Sequence, residues 1–286
     1  MKSATKIKVV GVGGSGSNAV SRMVKSSIQG VDFIIINADL QDLKKAKANI
    51  KIQIGKKLTK GLGTGMNPKI GESAAKESKE EIKEVLKGSD LVFVASGFGG
   101  GTGTGASPVV SQIAKNGGAL TVAIITTPFS FEGIPRQKIA EKGLENLRNK
   151  VDSLVVVPND KLLKMATDRI SVSSAFYLCD EILQQAVQSI SDLVSLPGIV
   201  NLDFADLKTI MRNSGRALFG VGRGRGENRV KTAGSFALNS PFLEDISLKK
   251  GKEALVNVSG GKDFALSEIQ EAVRMIGENL AKDAKI

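Results

Sequence analysis

A chain of 286 residues, 41% apolar and 24% charged, carries enough apolar material for one large or two ordinary globular domains without a disulfide or metal staple. It contains no histidine, which excludes Ser-His-Asp and Cys-His nucleophilic sites and every His-ligated zinc or iron centre, and a single cysteine, Cys179, excludes an internal disulfide. The formal net charge of +11 would suit a polyanionic partner, yet the basic residues are scattered, and one tyrosine with no tryptophan offers little for base stacking, so no nucleic-acid partner is expected.

The chain opens with lysines and a short apolar run, Ile7–Val10, that breaks into glycines. The run is too short for a signal peptide and reads as a first β-strand. No stretch approaches the ~20 apolar residues of a membrane span, so no direct membrane insertion is expected. Further apolar runs at Asp32–Asn37, Ile50–Ile54, Leu91–Ala95, Leu120–Thr126 and Ser153–Val157 alternate with amphipathic stretches, the pattern of strands and crossover helices in a parallel sheet. Ala74–Leu86 reads as one helix. From Ala175 to Leu196, Phe176, Leu183, Val187, Ile190 and Val194 recur at three- and four-residue steps, which predicts one long helix ending at Pro197 and Gly198. Cys179 falls in it, as a buried packing residue in a reducing, cytosolic setting. Beyond lie a helix over Phe204–Ser214, a loop with Arg223, Arg225 and Arg229, a helix over Thr232–Leu238, a strand over Glu253–Ser259 and a helix over Ser267–Leu280. The expected architecture is α/β: a Rossmann-like parallel-sheet domain over 1–174, a central helix over 175–197 and a smaller α+β domain over 198–286.

Two glycine loops follow strands. Gly11 to Gly16, GVGGSG, leads into the apolar, helix-like Ala19–Val24, an arrangement that lets backbone N–H groups approach a phosphate at a helix N-terminus. With Asp39 just past the second strand, it also meets a dinucleotide-binding template, so an NAD-linked enzyme stands as one reading. The second loop, GFGGGTGTG at Gly97–Gly105, has six glycines and two threonines in nine residues, able to wrap amides and hydroxyls around a di- or triphosphate. Two such loops suit a mononucleotide with several phosphates better than NAD. No Gly-Lys-Ser/Thr closes either loop, so this is not a Walker A site.

GGGTGTG at Gly99–Gly105 resembles the phosphate-loop signature of the bacterial cell-division FtsZ family, within the tubulin-like group. The similarity extends over nearly the whole chain. It implies a GTP/GDP site in which Gly14 and Ser15 face phosphate and Asn18 faces guanine, with Gly99, Gly100, Gly101, Thr102 and Gly103 as the phosphate cradle. Asn37-Ala38-Asp39 resembles the next loop, moving Asp39 to the site's edge. Leu58–Pro68 is similar to the loop that senses the terminal phosphate, with Thr64 and Met66 where smaller residues are usual. Glu132 would reach the ribose, Arg136 ribose or phosphate, and Asn159 the nucleotide. Phe176 matches the base-stacking aromatic and Asp180 the guanine-binding acid, four residues apart on one helix face.

Asn201-Leu202-Asp203-Phe204-Ala205-Asp206 resembles the family's loop that completes the neighbouring subunit's active site, although taken alone Asp203 or Asp206 would suit a helix cap. The resemblance implies a self-assembling GTPase: Asp203 and Asp206 orient or polarise the attacking water, Asn201 helps to position them, and Mg²⁺ accompanies the nucleotide rather than occupying a protein metal site. A head-to-tail homopolymer in the cytoplasm, at the division site, follows. The chain stops at Ile286, where the family usually continues through further strands and a partner-binding tail, so the sequence is expected to be either a fragment or a relative with a reduced second lobe, and accessory-protein binding is not carried over. A non-polymerising GTP-binding regulator is the alternative reading.

Overall fold

A computed structural model describes residues 5–26, 28, 30–163, 170–195, 203–240, 243 and 248–286. It divides into two compact units, Met1–Ala217 and Leu218–Ile286.

In the first unit seven strands form one sheet in the order β3-β2-β1-β4-β5-β6-β7, every pairing parallel. They are β1 (Ile7–Val12), β2 (Val31–Asn37), β3 (Ile50–Gln53), β4 (Leu91–Gly97), β5 (Leu120–Thr127), β6 (Ser153–Pro158) and β7 (Gly215–Ala217). Strands this apolar need cover on both faces, as parallel sheets do. Val9, Val10, Val92, Phe93, Val94 and Ile124 are wholly buried. The crossovers are α1 (Gly13–Lys25), α2 (Leu40–Lys45), then α3 (Lys56–Thr59), α4 (Pro68–Glu77) and α5 (Lys79–Leu86), then α6 (Thr102–Asn116) and α7 (Ile134–Arg148). After β6 come α8 (Asn159–Leu163), α9 (Val172–Ser195) and α10 (Phe204–Met211), which returns the chain to β7.

The helix expected over Ala74–Leu86 is two helices. Asn67 caps the first, accepting from the Lys69 N–H with Pro68 in the first turn, and the chain bends at buried Ser78. The bend lets Ala74 and Ala75 on one segment and Ile82 and Leu86 on the other all reach the same core. Strand β7 was not anticipated, because three residues at a sheet edge show no period.

Sheet order reverses between β1 and β4: the chain winds outward through β2 and β3, then returns to the other side of β1. The crevice beyond the carboxyl ends of two such strands is where open parallel sheets bind ligands. Helix α9, 24 residues and so about 36 Å long, spans the sheet from this edge to the opposite one. Near its start Phe176 packs edge-on against Phe129, just past the carboxyl end of β5; near its end Ser195 Oγ lies close to Gly30, at the amino end of β2. Helix α10 leads into the amino end of β7, where the Gly215 N–H donates to the Asp152 carbonyl and Lys115 Nζ bridges the Asp152 carboxylate (3.2 Å) and Asn213 Oδ1 (3.1 Å).

In the second unit α11 (Arg229–Leu238) packs on α12 (Leu266–Gly277). Arg229 forks onto Glu268 (Nε to Oε1 2.7 Å, Nη2 to Oε2 2.8 Å) and onto Asp263, a bidentate clamp joining the two helix starts. The strand expected over Glu253–Ser259 does not form. A strand needs a ladder, and the one pairing found there among the described residues is an isolated bridge between Glu253 and Lys285.

Candidate functional site

The two glycine loops lie side by side, since β1 and β4 are hydrogen-bonded neighbours. A Cβ on Gly13 would sit 2.7 Å from the Gly103 amide nitrogen, so the loops touch through their backbones. Each loop runs directly into a helix, α1 and α6, and neither helix has a side-chain cap or an acidic residue in its first turn. Their leading N–H groups and dipole ends therefore point into the crevice without a counter-charge of their own. That is the electrostatics of a polyphosphate site.

Around it the candidate residues fall as follows. Ser15 Oγ stands against Gly97, and Gly14 lies next to the Asp42 carboxylate. Gly99 backs onto Pro128 and the Arg136 backbone, which brings the start of α7 to the loop. Gly100 faces open space, with nothing within 4 Å of where a Cβ would stand, whereas Gly101 lies hard against Thr64 Oγ1 and the Asn67 backbone. Thr102 is buried, its hydroxyl 3.1 Å from that of Thr64. Met66 has φ of 60° and is exposed.

Asp39 caps α2, accepting from the Gln41 and Asp42 N–H groups, and its own N–H donates to Asn37 Oδ1. The residue that matched a ribose ligand of a dinucleotide fold is thus engaged as a cap. The Asn37 amide nitrogen is buried without a partner, and so is Asn159 Oδ1 at the carboxyl end of β6. Orphaned buried polar atoms at a cleft are groups waiting for a ligand or water.

Glu132 is held from two sides: the Phe129 N–H donates to Oε1 at 2.9 Å, and Arg136 Nη1 lies 3.5 Å from Oε2. The Phe129 ring stacks on Phe131 and meets Phe176 edge-on at 5.3 Å, leaving Phe176 41% exposed as an open aromatic wall. One turn further along α9, Asp180 is buried and paired with Arg22 of α1, Nε to Oδ2 2.9 Å. Burial pushes its carboxyl up to about 6, with Arg22 opposing the shift. Asn18, one turn before Arg22, is exposed on α1. Cys179 is buried, donates to the Ala175 carbonyl and is pushed up to about 12, chiefly by burial, which makes it an inert packing thiol.

Asp203 and Asp206 are exposed at the start of α10, where the Asp206 N–H donates to Asp203 Oδ1 at 2.9 Å. Helix α10, which carries both acids in its cap and first turn, feeds the amino end of β7, whereas the glycine loops lie at the carboxyl ends of β1 and β4. Asn201 lies outside the described residues. Arg22, Tyr177, Phe129 and the Thr64–Thr102 contact were not singled out from sequence; for Arg22 the available signal was its place one turn after Asn18 on the same helix face.

A reversed parallel sheet with two helix starts that carry no acid in their first turns, meeting at its switch point beside an aromatic wall and a buried acid, defines a nucleotide-polyphosphate site. Residues 6–167 match the Tubulin/FtsZ family, GTPase domain, and residues 215–286 match the FtsZ family, C-terminal domain. Cell division protein FtsZ 1 of Thermococcus kodakarensis is 50% identical over 98% of this chain and 74% of its own length. A solved FtsZ dimer of M. jannaschii, empty, superposes with a TM-score of 0.95 at 47% identity, covering 100% of this chain and 83% of that one. CetZ2 from Haloferax volcanii, solved as a GTPgS-bound protofilament, shares the fold alone, with a TM-score of 0.84 at 20% identity over 97% of this chain and 87% of its own. The chain belongs to the tubulin/FtsZ family, in its FtsZ branch. The Thermococcus relative is archaeal, so it supports the family and not the bacterial qualifier suggested by the motif. Among the described residues, no helix is long and apolar enough to cross a membrane.

Proposed function

We propose that this protein binds GTP, hydrolyses it to GDP and phosphate, and assembles head to tail, each hydrolytic site being shared by two copies, in the cytoplasm at the site of cell division. The observation that supports this reading is the pair of uncapped helix starts, without first-turn acids, at the carboxyl ends of β1 and β4, with an exposed acid pair on a separate helix, α10, that feeds the amino end of β7. The amides leading α1 and α6, with Gly14, Ser15, Gly99–Gly101, Thr102 and Gly103, would cradle the phosphates. Glu132, Arg136 and Asn159 would orient the sugar, Phe176 would wall the base, and Asn18 and Asp180 would read its guanine edge. Mg²⁺ would neutralise phosphate charge; the described residues hold no cluster of three acidic or thiol ligands, so the phosphates themselves would supply much of its coordination.

Asp203 and Asp206 of the next copy would orient and polarise the attacking water, with Asn201 helping to position them. A contact between unlike edges, repeated, gives an open filament rather than a closed dimer. The test is GTP turnover against protein concentration, with light scattering in GTP and in GDP. Activity per molecule should rise above a threshold concentration, and Asp206→Ala should bind GTP while losing turnover. Turnover independent of concentration, or full turnover in that variant, would leave a GTP-binding regulator that does not polymerise.

A further inference from the structure

Arg22 has two contacts that fix it. Its Nε lies 2.9 Å from Asp180 Oδ2, and its guanidinium sits 4.1 Å over the ring of Tyr177, one turn before Asp180 on α9. A planar guanidinium held by an aromatic face on one side and a carboxylate on the other is an oriented charge, not a wandering surface one. The carboxylate it meets is 8% exposed, where burial favours the neutral acid.

The protonation state of such a group decides which purine it can read. An ionised carboxylate only accepts hydrogen bonds, and so fits guanine, whose N1–H and N2 amino group are both donors. A neutral carboxylic acid offers one donor and one acceptor, the complement of adenine, whose N1 accepts and whose N6 amino group donates. We propose that Arg22 is a positioning residue for base selection: it keeps Asp180 ionised and aimed, so that the pocket accepts the guanine edge and refuses the adenine edge. This inference rests on the assignment of the base to Asp180 made above.

Arg22 is the group that opposes the effect of burial on Asp180. The elements packed on α9 bring Asp160 and Lys161 from α8 and Lys25 from α1, and α9 itself brings Glu181; Glu132 lies close enough to act on neighbouring Cys179. The shift of Asp180 is set by burial and opposed by the charge and hydrogen bond of Arg22. Without the guanidinium, the balance moves further toward the neutral acid.

The experiment measures binding of fluorescent GDP and ADP to the full chain from about pH 5.5 to about pH 8.5, with melting curves to check folding, for wild type, Arg22→Gln, Arg22→Lys and Asp180→Asn. Arg22→Gln should weaken GDP binding roughly tenfold near pH 6.5, recover toward wild type as pH rises, and gain ADP binding at low pH, since a tenfold change corresponds to about one unit of pKa. Arg22→Lys should keep most of the wild-type profile. An Arg22→Gln variant with an unmoved pH profile, or with tighter GDP binding, overturns the inference and makes Arg22 a bystander or a competitor. If Asp180→Asn binds GDP as wild type does, the base assignment itself falls. If Asp180→Asn is weak while Arg22→Gln matches wild type, the assignment stands and only the role of Arg22 is lost.

Discussion

The hydroxyls of Thr64 and Thr102 meet at 3.1 Å in a buried contact that ties the loop before α4 to the first residue of α6. Thr102 opens a helix whose leading amides face the crevice, so whatever orients its side chain also orients a potential phosphate donor. Thr64→Val keeps the shape and removes the partner hydroxyl. The expected result is a stability loss of about 1 kcal/mol by chemical denaturation. Turnover of GTP should fall severalfold, with GDP affinity little changed. Equal losses for GDP and GTP would mean that the contact serves packing alone.

Adjacent glycines of the cradle should behave in opposite ways. A methyl group on Gly100 enters open space, while one on Gly101 collides with Thr64 Oγ1 and comes within 2.7 Å of the Asn67 nitrogen. Gly100→Ala should therefore melt like wild type yet bind nucleotide at least about tenfold more weakly, because the methyl occupies the cradle. Gly101→Ala should lose about 1–3 kcal/mol of stability, the cost of overpacking. Calorimetric melting and nucleotide titration of both variants separate a ligand-facing glycine from a packing one.

Asp203 is engaged as the cap of α10, accepting from the Asp206 N–H, and the proposed chemistry needs its charge as well. Asparagine caps as well as aspartate, whereas alanine costs about 1 kcal/mol at such a position. Asp203→Asn should keep the melting temperature and lose turnover; Asp203→Ala should lose both. Wild-type turnover in Asp203→Asn would reduce the residue to a cap.

Acid should act oppositely on two carboxylates. The Asp180 pKa is raised from 3.8 to about 6, so its stabilising contribution is fully present below about 3.8 and is lost as pH rises through about 6. By itself this group makes the nucleotide-free protein less stable at neutral pH than near pH 4, by up to about 3 kcal/mol, and Asp180→Asn should flatten that slope. Glu268 is lowered from 4.5 to about 2, chiefly by its hydrogen bonds from Arg229, so its contribution is present above about 4.5 and is lost as pH falls through about 2. Glu268→Gln should remove that acid sensitivity. Hydrogen exchange along α9 and α12 reads the two separately.

Most of the first unit was legible in the chain itself, and for a local reason. Glycine density, strand-length apolar runs and the three- and four-residue steps from Phe176 to Val194 are properties of neighbours in sequence. Six of the seven strands and the long helix follow from them, as does the inert burial of Cys179. What escaped was decided by partners far away. The bend at Ser78 exists because two helix segments share one core, β7 exists because β6 offers an edge, and Glu253–Ser259 lacks a ladder among the described residues.

The same division runs through the site. Sequence alone determined which backbone could cradle phosphate and, by the absence of histidine, which chemistries were closed to the protein. Only the tertiary structure decided that β1 and β4 lie side by side, that the helix carrying Asp203 and Asp206 feeds the amino end of β7, and that Arg22 meets Asp180 across 158 positions. Charge, glycine freedom and helix period are written residue by residue, but a carboxylate's protonation state and the spacing of two loops depend on what the fold buries beside them.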